Sequence, residues 1–199
     1  MIKTSIALVA ACCLVASTAP SKVEDKEILT VLKETPVEVA ETTKEEPETV
    51  IITCESCTVQ EQMALAAFQK RGITDKYALA ALMGNIKQES MFLPDICEGG
   101  ARIPYERCYT GGYGLIQWTT TGRYDGLGRY ADSKKCNPST TECQLGYLFT
   151  EYQWKQVEPY MKTPGKSIEW YMRHAYRWLG WGIHGNRTTY AYEYLKALT

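Results

Sequence analysis

The chain has 199 residues, which is enough for one folded domain with appended segments. A formal net charge of −1, with no nucleic-acid recognition motif in the sequence, excludes the usual electrostatic basis for binding DNA or RNA, so we expect no nucleic-acid partner. The 14 Tyr and five Trp greatly outnumber the three Phe, and such amphipathic aromatic residues suit wet clefts and interfaces as well as cores.

Residues 1–19 have the pattern of an export signal peptide. Lys3 is the charged start, and the run from Ile6 to Ala16 is apolar or small but shorter than the roughly 20 residues that span a bilayer. As an alternative, Val9-Ala10-Ala11-Cys12 resembles a bacterial lipoprotein box, which would anchor the chain through Cys12. The sequence therefore predicts an exported protein, with lipid anchoring as the second interpretation.

Residues 20–57 are predicted to form an acidic flexible linker. The segment 20–53 contains nine Asp/Glu, four Lys and three Pro but no aromatic residue and no Gly, so it cannot bury enough apolar surface to offset its ordering entropy. From Cys54 onward there are 17 Lys/Arg and 14 Asp/Glu. The predicted folded domain, residues 58–199, is therefore mildly basic, which is compatible with an anionic polymer as its target.

Six cysteines remain beyond the signal segment, and an even number of cysteines in an exported chain is typical of a disulfide framework. Fifteen pairings are compatible with six cysteines. Closeness in the chain favours Cys54–Cys57, Cys97–Cys108 and Cys136–Cys143. A zinc site is the alternative, but neither histidine lies at ligand spacing from the cysteines, so we predict no metal and no other cofactor.

The domain is predicted to be α+β but mostly α. Thr58 and Glu61 match a capping box that opens a helix ending near Lys70. Thr74 is the expected cap of a second helix, which runs to about Glu89. Its apolar residues follow the i, i+3, i+4, i+7 rule of an amphipathic helix: Leu79, Leu82, Met83 and Ile86.

The second half of the domain combines a loop region with further helices. Two Pro and five Gly argue against helix over residues 94–118, where Tyr113–Trp118 is predicted to form a small hairpin or turn. Three more helices are predicted: one from a capping box at Ser139 to Pro159, one from Thr163-Pro164 to Leu179, and one from Asn186 to Leu198.

Glu89 is the candidate catalytic residue. At 100° per residue it lies at the edge of the apolar stripe, near the C-terminus of the second helix. Partial desolvation and the negative end of the helix dipole both raise the pKa of a carboxyl group in this position above its ordinary value of about 4.3. A carboxyl group that keeps its proton near neutral pH can act as a general acid, whereas the alternative is a solvated glutamate at a helix end.

Two motifs in sequence order carry a resemblance to a known family. Residues 84–90 read Gly-Asn-Ile-Lys-Gln-Glu-Ser, and residues 112–118 read Gly-Tyr-Gly-Leu-Ile-Gln-Trp. With Gly122-Arg123 and the run at 144–148, they resemble the phage tail lysozyme family over about residues 60–198. That family belongs with the goose-type lysozymes and the soluble lytic transglycosylases.

The resemblance implies a lysozyme-like helical domain with a small β-hairpin or loop region that lines a cleft. It implies that Glu89 is the catalytic acid in cleavage of peptidoglycan between N-acetylmuramic acid and N-acetylglucosamine. The residues expected to bind substrate are Ser90, Tyr113, Gln117, Trp118 and Arg123. Core packing is the alternative for Trp118, and pairing with an acid is the alternative for Arg123.

The reaction outcome stays open at this point. A hydrolase with a second carboxylate would draw on Asp95, Glu98, Glu106 or Asp125, and Glu98 is the best placed because it lies between the two motifs. With one essential glutamate, the substrate's acetamide or its muramyl hydroxyl would act instead, and the latter gives a lytic transglycosylase. The Ala-Tyr-Asn segment of the resembled group is not found, so no tyrosine is assigned to the acetamide.

The expected partners follow from the same resemblance. They are peptidoglycan and, for a virion-associated form, phage virion or tail components; the domain is expected to be a monomer that is secreted, periplasmic or virion-associated. The alternative functions are a non-catalytic module that binds murein or another glycan, a lipid-anchored envelope scaffold, and an enzyme acting on another N-acetylated polymer such as chitin.

Overall fold

A computed structural model describes residues 50–109 and 111–199, and this part of the chain is mostly helical. The signal segment and most of the predicted linker lie outside the described residues. Seven α-helices are present in the described part: α1 (Val59–Lys70), α2 (Lys76–Ser90), α3 (Thr121–Lys134), α4 (Thr141–Leu148), α5 (Tyr152–Met161), α6 (Ile168–Leu179) and α7 (Arg187–Ala197). The mostly-α prediction is confirmed.

The loop region between α2 and α3 contains a turn where the sequence favoured a hairpin or turn. Within the described residues of this loop region, extended pairing is limited to two isolated antiparallel bridges, Ile96 with Arg102 and Cys97 with Tyr113. The backbone N–H of Gln117 donates to the Gly114 carbonyl at 3.1 Å and closes a turn over 114–117. This turn, rather than a pair of strands, forms the segment that follows Gly112.

The helix α2 is the centre of the domain. Ten of its 15 residues are buried, including Asn85, so it is surrounded on all sides rather than amphipathic. It begins one residue later than predicted because the Asp75 carboxylate, not the Thr74 hydroxyl, accepts from the first free backbone N–H groups, those of Tyr77 and Ala78. The capping box of α1 is confirmed, with reciprocal bonds between Thr58 and Glu61.

Close contact between α2 and α7 depends on Gly84. A Cβ at this position would lie 2.5 Å from the backbone nitrogen of Ala191 and 2.8 Å from the carbonyl oxygen of Arg187, both in α7. The two helices therefore approach backbone to backbone, which a side chain would prevent. This contact brings the first turn of α7 beside the C-terminal end of α2.

The helix α3 was not predicted from the sequence, because three of its 14 residues are Gly. Two of these glycines make room for tyrosine side chains. A Cβ at Gly126 would lie 2.1 Å from the hydroxyl oxygen of Tyr147, and one at Gly128 would lie 2.7 Å from that of Tyr105. Packing between elements therefore outweighs the low helix propensity of glycine here.

The other predicted helix boundaries require correction. The predicted helix from Ser139 to Pro159 is two helices, because the chain breaks at 149–151 and Pro159 lies inside α5. Thr140 rather than Ser139 caps α4, through a bond from the Cys143 backbone N–H. Ser167 caps α6, so the predicted start at Thr163-Pro164 is wrong by several residues.

The last residues of the predicted linker belong to the domain. Ile52 is 9% exposed and packs in the core, and its backbone exchanges two hydrogen bonds with the Gln69 side chain. Thr53 exchanges two backbone hydrogen bonds with Thr199, at 2.8 and 2.9 Å. The sequence placed the domain start at 58 because 20–53 is so polar overall, but Ile52 and Thr53 pack and bond with the domain as well.

All three predicted disulfides are present: Cys54–Cys57, Cys97–Cys108 and Cys136–Cys143. The first precedes α1, the second closes the loop between α2 and the 114–117 turn, and the third joins the end of α3 to α4. Within residues 50–109 and 111–199, no cluster of His, Cys, Asp and Glu is arranged to hold a metal ion. None of the described helices has the length and apolar character that crossing a membrane requires.

Candidate active site

A cleft of about 760 Å³ lies at the C-terminal end of α2. Four other segments complete its walls: the 96–120 loop region, the start of α3, the loop from Gly180 to Gly185, and the first turn of α7. Its lining residues are Gln88, Glu89, Glu98, Ile116, Gln117, Thr119, Thr120, Arg123, Leu179, Gly180, Trp181, Gly182, Ile183, Gly185 and Arg187. Its size is in the range of small-molecule and oligosaccharide sites.

Glu89 is in this cleft, where its side chain is 16% exposed. Met91 follows α2 in the left-handed conformation and terminates the helix just beyond the carboxyl group. Burial raises the pKa of Glu89 above its ordinary value and outweighs the opposing effects of Arg187 and Arg123. Glu89 therefore lies half-buried at a helix end, although α2 is buried on all sides rather than along the single apolar stripe that the sequence indicated.

Arg187 is the partner of Glu89, and the sequence reasoning missed it. Its guanidinium group donates from Nη2 to the Glu89 carboxylate, and its side chain is only 5% exposed. Nη1 donates to the backbone carbonyls of Ile183 (3.2 Å) and His184 (3.0 Å), and the guanidinium carbon lies 4.7 Å from the centre of the Trp181 ring. One signal was present in the sequence: an arginine in the first turn of a helix opposes the helix dipole.

Ser90 is 3% exposed, so it is too deeply buried to contact substrate as predicted. Its hydroxyl instead donates to the Leu115 carbonyl at 2.9 Å. The Leu115 backbone N–H donates to Gln144 Oε1 at 2.8 Å, and Gln144 is fully buried. Ser90 and Gln144 therefore hold the 114–117 turn against α2 from two sides, which positions the wall of the cleft.

We expect Gln144→Leu to lower the free energy of unfolding by about 3 kcal/mol, because each buried polar group left unpaired costs about 1–3 kcal/mol. The Gln144 amide nitrogen also donates to the carbonyls of Pro94 (2.6 Å) and Pro138 (2.8 Å), so three backbone groups lose their partner. Gln62→Leu is the control, since Gln62 bonds two carbonyls where water can replace it. Urea denaturation measures both, and equal losses would contradict the role of Gln144.

Gln117 lies in the cleft wall, with a backbone φ of 52°. Its amide nitrogen donates to the Gly114 carbonyl at 3.0 Å. A Cβ at Gly112 would lie 2.7 Å from Gln117 Oε1, so this glycine leaves room for the amide. A left-handed, internally bonded glutamine at a cleft wall is the type of backbone strain that clusters at functional sites.

Tyr113 and Trp118 do not line the cleft, and the prediction that they contact sugar is corrected. Both side chains are fully buried. The Tyr113 hydroxyl lies 2.7 Å from Ser139 Oγ, and the Trp118 ring packs 5.4 Å from the ring of Tyr147. The core alternative therefore applies to both, and the aromatic residue in the cleft is Trp181.

Arg123 lines the cleft but also pairs with an acid. It donates from Nε and Nη2 to the two carboxylate oxygens of Glu151, at 2.7 and 2.9 Å. Glu151 is 6% exposed and precedes α5, so the pair links α3 to the α4–α5 junction. Arg123 is thus held rigidly at the edge of the cleft, where its charge acts on Glu89.

Glu98 is the one candidate for a second carboxylate that shares the described cleft with Glu89. Asp95 pairs with Arg102 at 2.5 Å, while Glu106 and Asp125 line a separate pocket of about 430 Å³. The exposed Glu98 carboxylate lies against Gly111, because a Cβ there would be 2.0 Å from Glu98 Oε2. Of the four carboxylates, only Glu98 therefore lines the same described cleft as Glu89, and its catalytic role stays a prediction.

A mostly helical domain with a half-buried glutamate at a helix end, beside an open cleft, is consistent with a lysozyme-like fold. A family model described as phage tail lysozyme matches residues 59–198, so the chain belongs to the phage tail lysozyme family. No curated protein and no solved structure matches the chain at a significant level. Membership of the family indicates a lysozyme-like role in acting on peptidoglycan.

Proposed function

We propose that the protein cleaves the glycan strands of peptidoglycan between N-acetylmuramic acid and N-acetylglucosamine, with Glu89 as the general acid. The observation that carries the proposal is the placement of Glu89, whose carboxyl group is mostly buried yet lines a cleft of about 760 Å³. Burial raises the pKa of Glu89, so a larger fraction of its carboxyl groups holds a proton near neutral pH.

Cleavage requires that the glycosidic oxygen receive a proton as its bond to the anomeric carbon breaks. The protonated Glu89 donates this proton, and the positive charge that develops on the sugar ring is stabilised by a neighbouring anion or by the substrate's acetamide. Water in hydrolysis, or the muramyl hydroxyl in lytic transglycosylation, then bonds to the anomeric carbon and returns a proton to the Glu89 carboxylate. Because Glu98 lines the same cleft, we propose it as the second carboxylate.

Other cleft residues account for substrate recognition in this proposal. Trp181 is half-buried and offers an aromatic surface to the C–H face of a sugar, the role assigned from the sequence to Tyr113 and Trp118. Gln117 and Arg123 supply polar groups at the cleft wall for hydroxyl, acetamide or carboxylate groups of the substrate. Ser90 acts indirectly, by holding the 114–117 turn in place.

The test is digestion of purified murein with the purified protein, followed by mass spectrometry of the soluble fragments. We expect disaccharide-peptide products. Fragments with reducing ends indicate hydrolysis, whereas fragments lighter by one water, with anhydro ends, indicate lytic transglycosylation. Retained binding to murein with no product from the wild-type protein would overturn the proposal in favour of a non-catalytic binding module.

We also propose that the protein acts outside the cytoplasm or on a virion. Three disulfides in a domain of about 150 residues fit an extracellular or virion-associated location, where disulfides persist. In this proposal residues 1–19 direct export and the acidic segment that follows tethers the domain. Mass spectrometry of the mature N-terminus tests it, because a lipidated Cys12 would indicate the lipoprotein alternative.

A further inference from the structure

We propose that Arg187 is a positioning residue for the catalytic acid, and that the loop from Gly180 to Gly185 holds it in that role. The inference rests on the proposed function of Glu89 and extends it to a residue outside the two sequence motifs at 84–90 and 112–118. Its basis is the set of contacts that the buried Arg187 guanidinium group makes with Glu89, with two loop carbonyls and with the Trp181 ring.

The Glu89–Arg187 pair is buried. The Arg187 side chain is 5% exposed and that of Glu89 is 16% exposed, so the ion pair is largely out of water. Nη2 donates to a carboxyl oxygen of Glu89, which can accept this bond whether or not the other oxygen carries a proton. The position of Arg187 is therefore tied to that of the Glu89 carboxyl group, and each fixes the rotamer of the other.

Arg187 is bonded to the loop from Gly180 to Gly185, called here the glycine-containing loop. The loop carbonyls of Ile183 and His184 accept from Nη1, and Trp181 packs over the guanidinium plane. Planar guanidinium groups suit this combination of several donors and aromatic stacking, whereas the point charge of lysine does not. Because Trp181 also lines the cleft, a sugar that contacts its ring contacts the residue that holds Arg187.

The charged side chains that line the cleft together with Glu89 come from three elements. Arg187 comes from α7, Arg123 from α3 and Glu98 from the loop after α2, while His184 of the glycine-containing loop bonds Thr188 and the Gly185 carbonyl. Burial raises the pKa of Glu89, and Arg187 and then Arg123 lower it. Arg187 thus limits the increase in the pKa of Glu89. The carboxyl group then holds its proton and remains a strong enough acid to donate it.

The experiment compares Arg187→Met with Arg187→Lys in murein cleavage across pH. Cleavage needs protonated Glu89, so the rate falls as pH rises through the pKa of that group. Without the positive charge this pKa increases, and we expect the alkaline limb of the Arg187→Met profile to move up by about one pH unit. We expect the maximal rate to fall about 10-fold, with a much smaller change in KM.

Arg187→Lys keeps the charge but loses the planar contacts. We expect its alkaline limb to stay near the wild-type position while its maximal rate falls. If Arg187→Met does not fold, this lysine variant decides the proposal, and a wild-type maximal rate in it would overturn the positioning role. Arg71→Met is the matched control, because Arg71 pairs with the buried Glu158 and stacks on Phe149 away from the cleft. We expect lower stability but an unshifted pH profile in that control.

A second readout separates this inference from the proposed function. NMR titration of ¹³C-labelled glutamate side chains measures the pKa of Glu89 directly, without any turnover. We expect a higher value in Arg187→Met than in wild type. An unchanged value, or an alkaline limb that does not move, overturns the inference while wild-type cleavage still supports the proposed function. A wild-type protein that makes no product overturns the proposed function, whatever the titration shows.

Discussion

Glu89→Gln is expected to reduce the rate of murein cleavage about 1,000-fold, because a positioned general acid contributes typically 10²–10⁴ to the rate. Glutamine has nearly the same shape, and its side-chain oxygen can still accept from Arg187. The substitution removes the transferable proton and leaves the cleft in place. The rate at which soluble fragments are released from purified murein, measured at several pH values, shows how much activity is lost.

The same variant has an expected effect on stability that depends on pH. Because the pKa of Glu89 is raised in the folded chain, the folded state loses stability as pH rises through that folded pKa. A neutral glutamine does not carry this loss. We therefore expect Glu89→Gln to be at least as stable as wild type at pH 7, and its stability relative to wild type to be lower at pH 4 than at pH 7. Thermal unfolding of both proteins at the two pH values measures this difference.

Glu158→Gln is the matched control for Glu89→Gln. Glu158 is a similarly buried glutamate, with 9% side-chain exposure, and it pairs with Arg71 and Lys162 outside the cleft. We expect this control to keep nearly all of its cleavage activity below its unfolding temperature. Lysis at the wild-type rate by Glu89→Gln would show that Glu89 is not the acid.

Gly84→Ala is expected to destabilise the domain by about 3 kcal/mol, at the upper end of the usual cost of overpacking. The added methyl group would meet backbone atoms of Ala191 and Arg187, and backbone cannot move aside as the end of a flexible side chain can. The helices α2 and α7 must therefore separate, which also moves Arg187 away from Glu89. Thermal unfolding should show a midpoint lower by about 10 °C.

The control for this second variant is Gly122→Ala. Gly122 is an exposed glycine inside α3, and no atom lies within 4 Å of the position that a Cβ would take there, so an added methyl group has free space. Alanine also has the higher helix propensity, by about 1 kcal/mol. We expect the control to be as stable as wild type or slightly more stable. A Gly84→Ala protein of wild-type stability would mean that the two helices are not in close contact.

The candidate acid could be predicted from the sequence because its cause is local. Glu89 lies in the last turn of a helix whose apolar residues are close in sequence, so position along the helix is enough to place it where the buried segment ends. The three disulfides could be predicted for the same reason, since each joins cysteines close in the chain. Chain proximity limits the geometries that such residues can adopt.

The partner of the acid could not be predicted in this way. Arg187 is 98 positions away from Glu89, and it reaches the carboxyl group because Gly84 lets α7 approach α2. Whether Tyr113 and Trp118 are exposed also depends on the tertiary structure, since an amphipathic aromatic residue can pack in a core as well as line a cleft. Contacts between distant elements decide both cases.

The backbone pairing of Thr53 with Thr199 has a practical consequence for engineering. It places residues 53 and 199 side by side, with backbone hydrogen bonds of 2.8 and 2.9 Å. A segment whose first and last residues lie next to each other can be inserted into a surface loop of a host protein with short joints, and new termini can be opened at an exposed loop tip. The segment 52–199 is therefore suited to insertion as a unit, because both junctions with the host would lie at the same place.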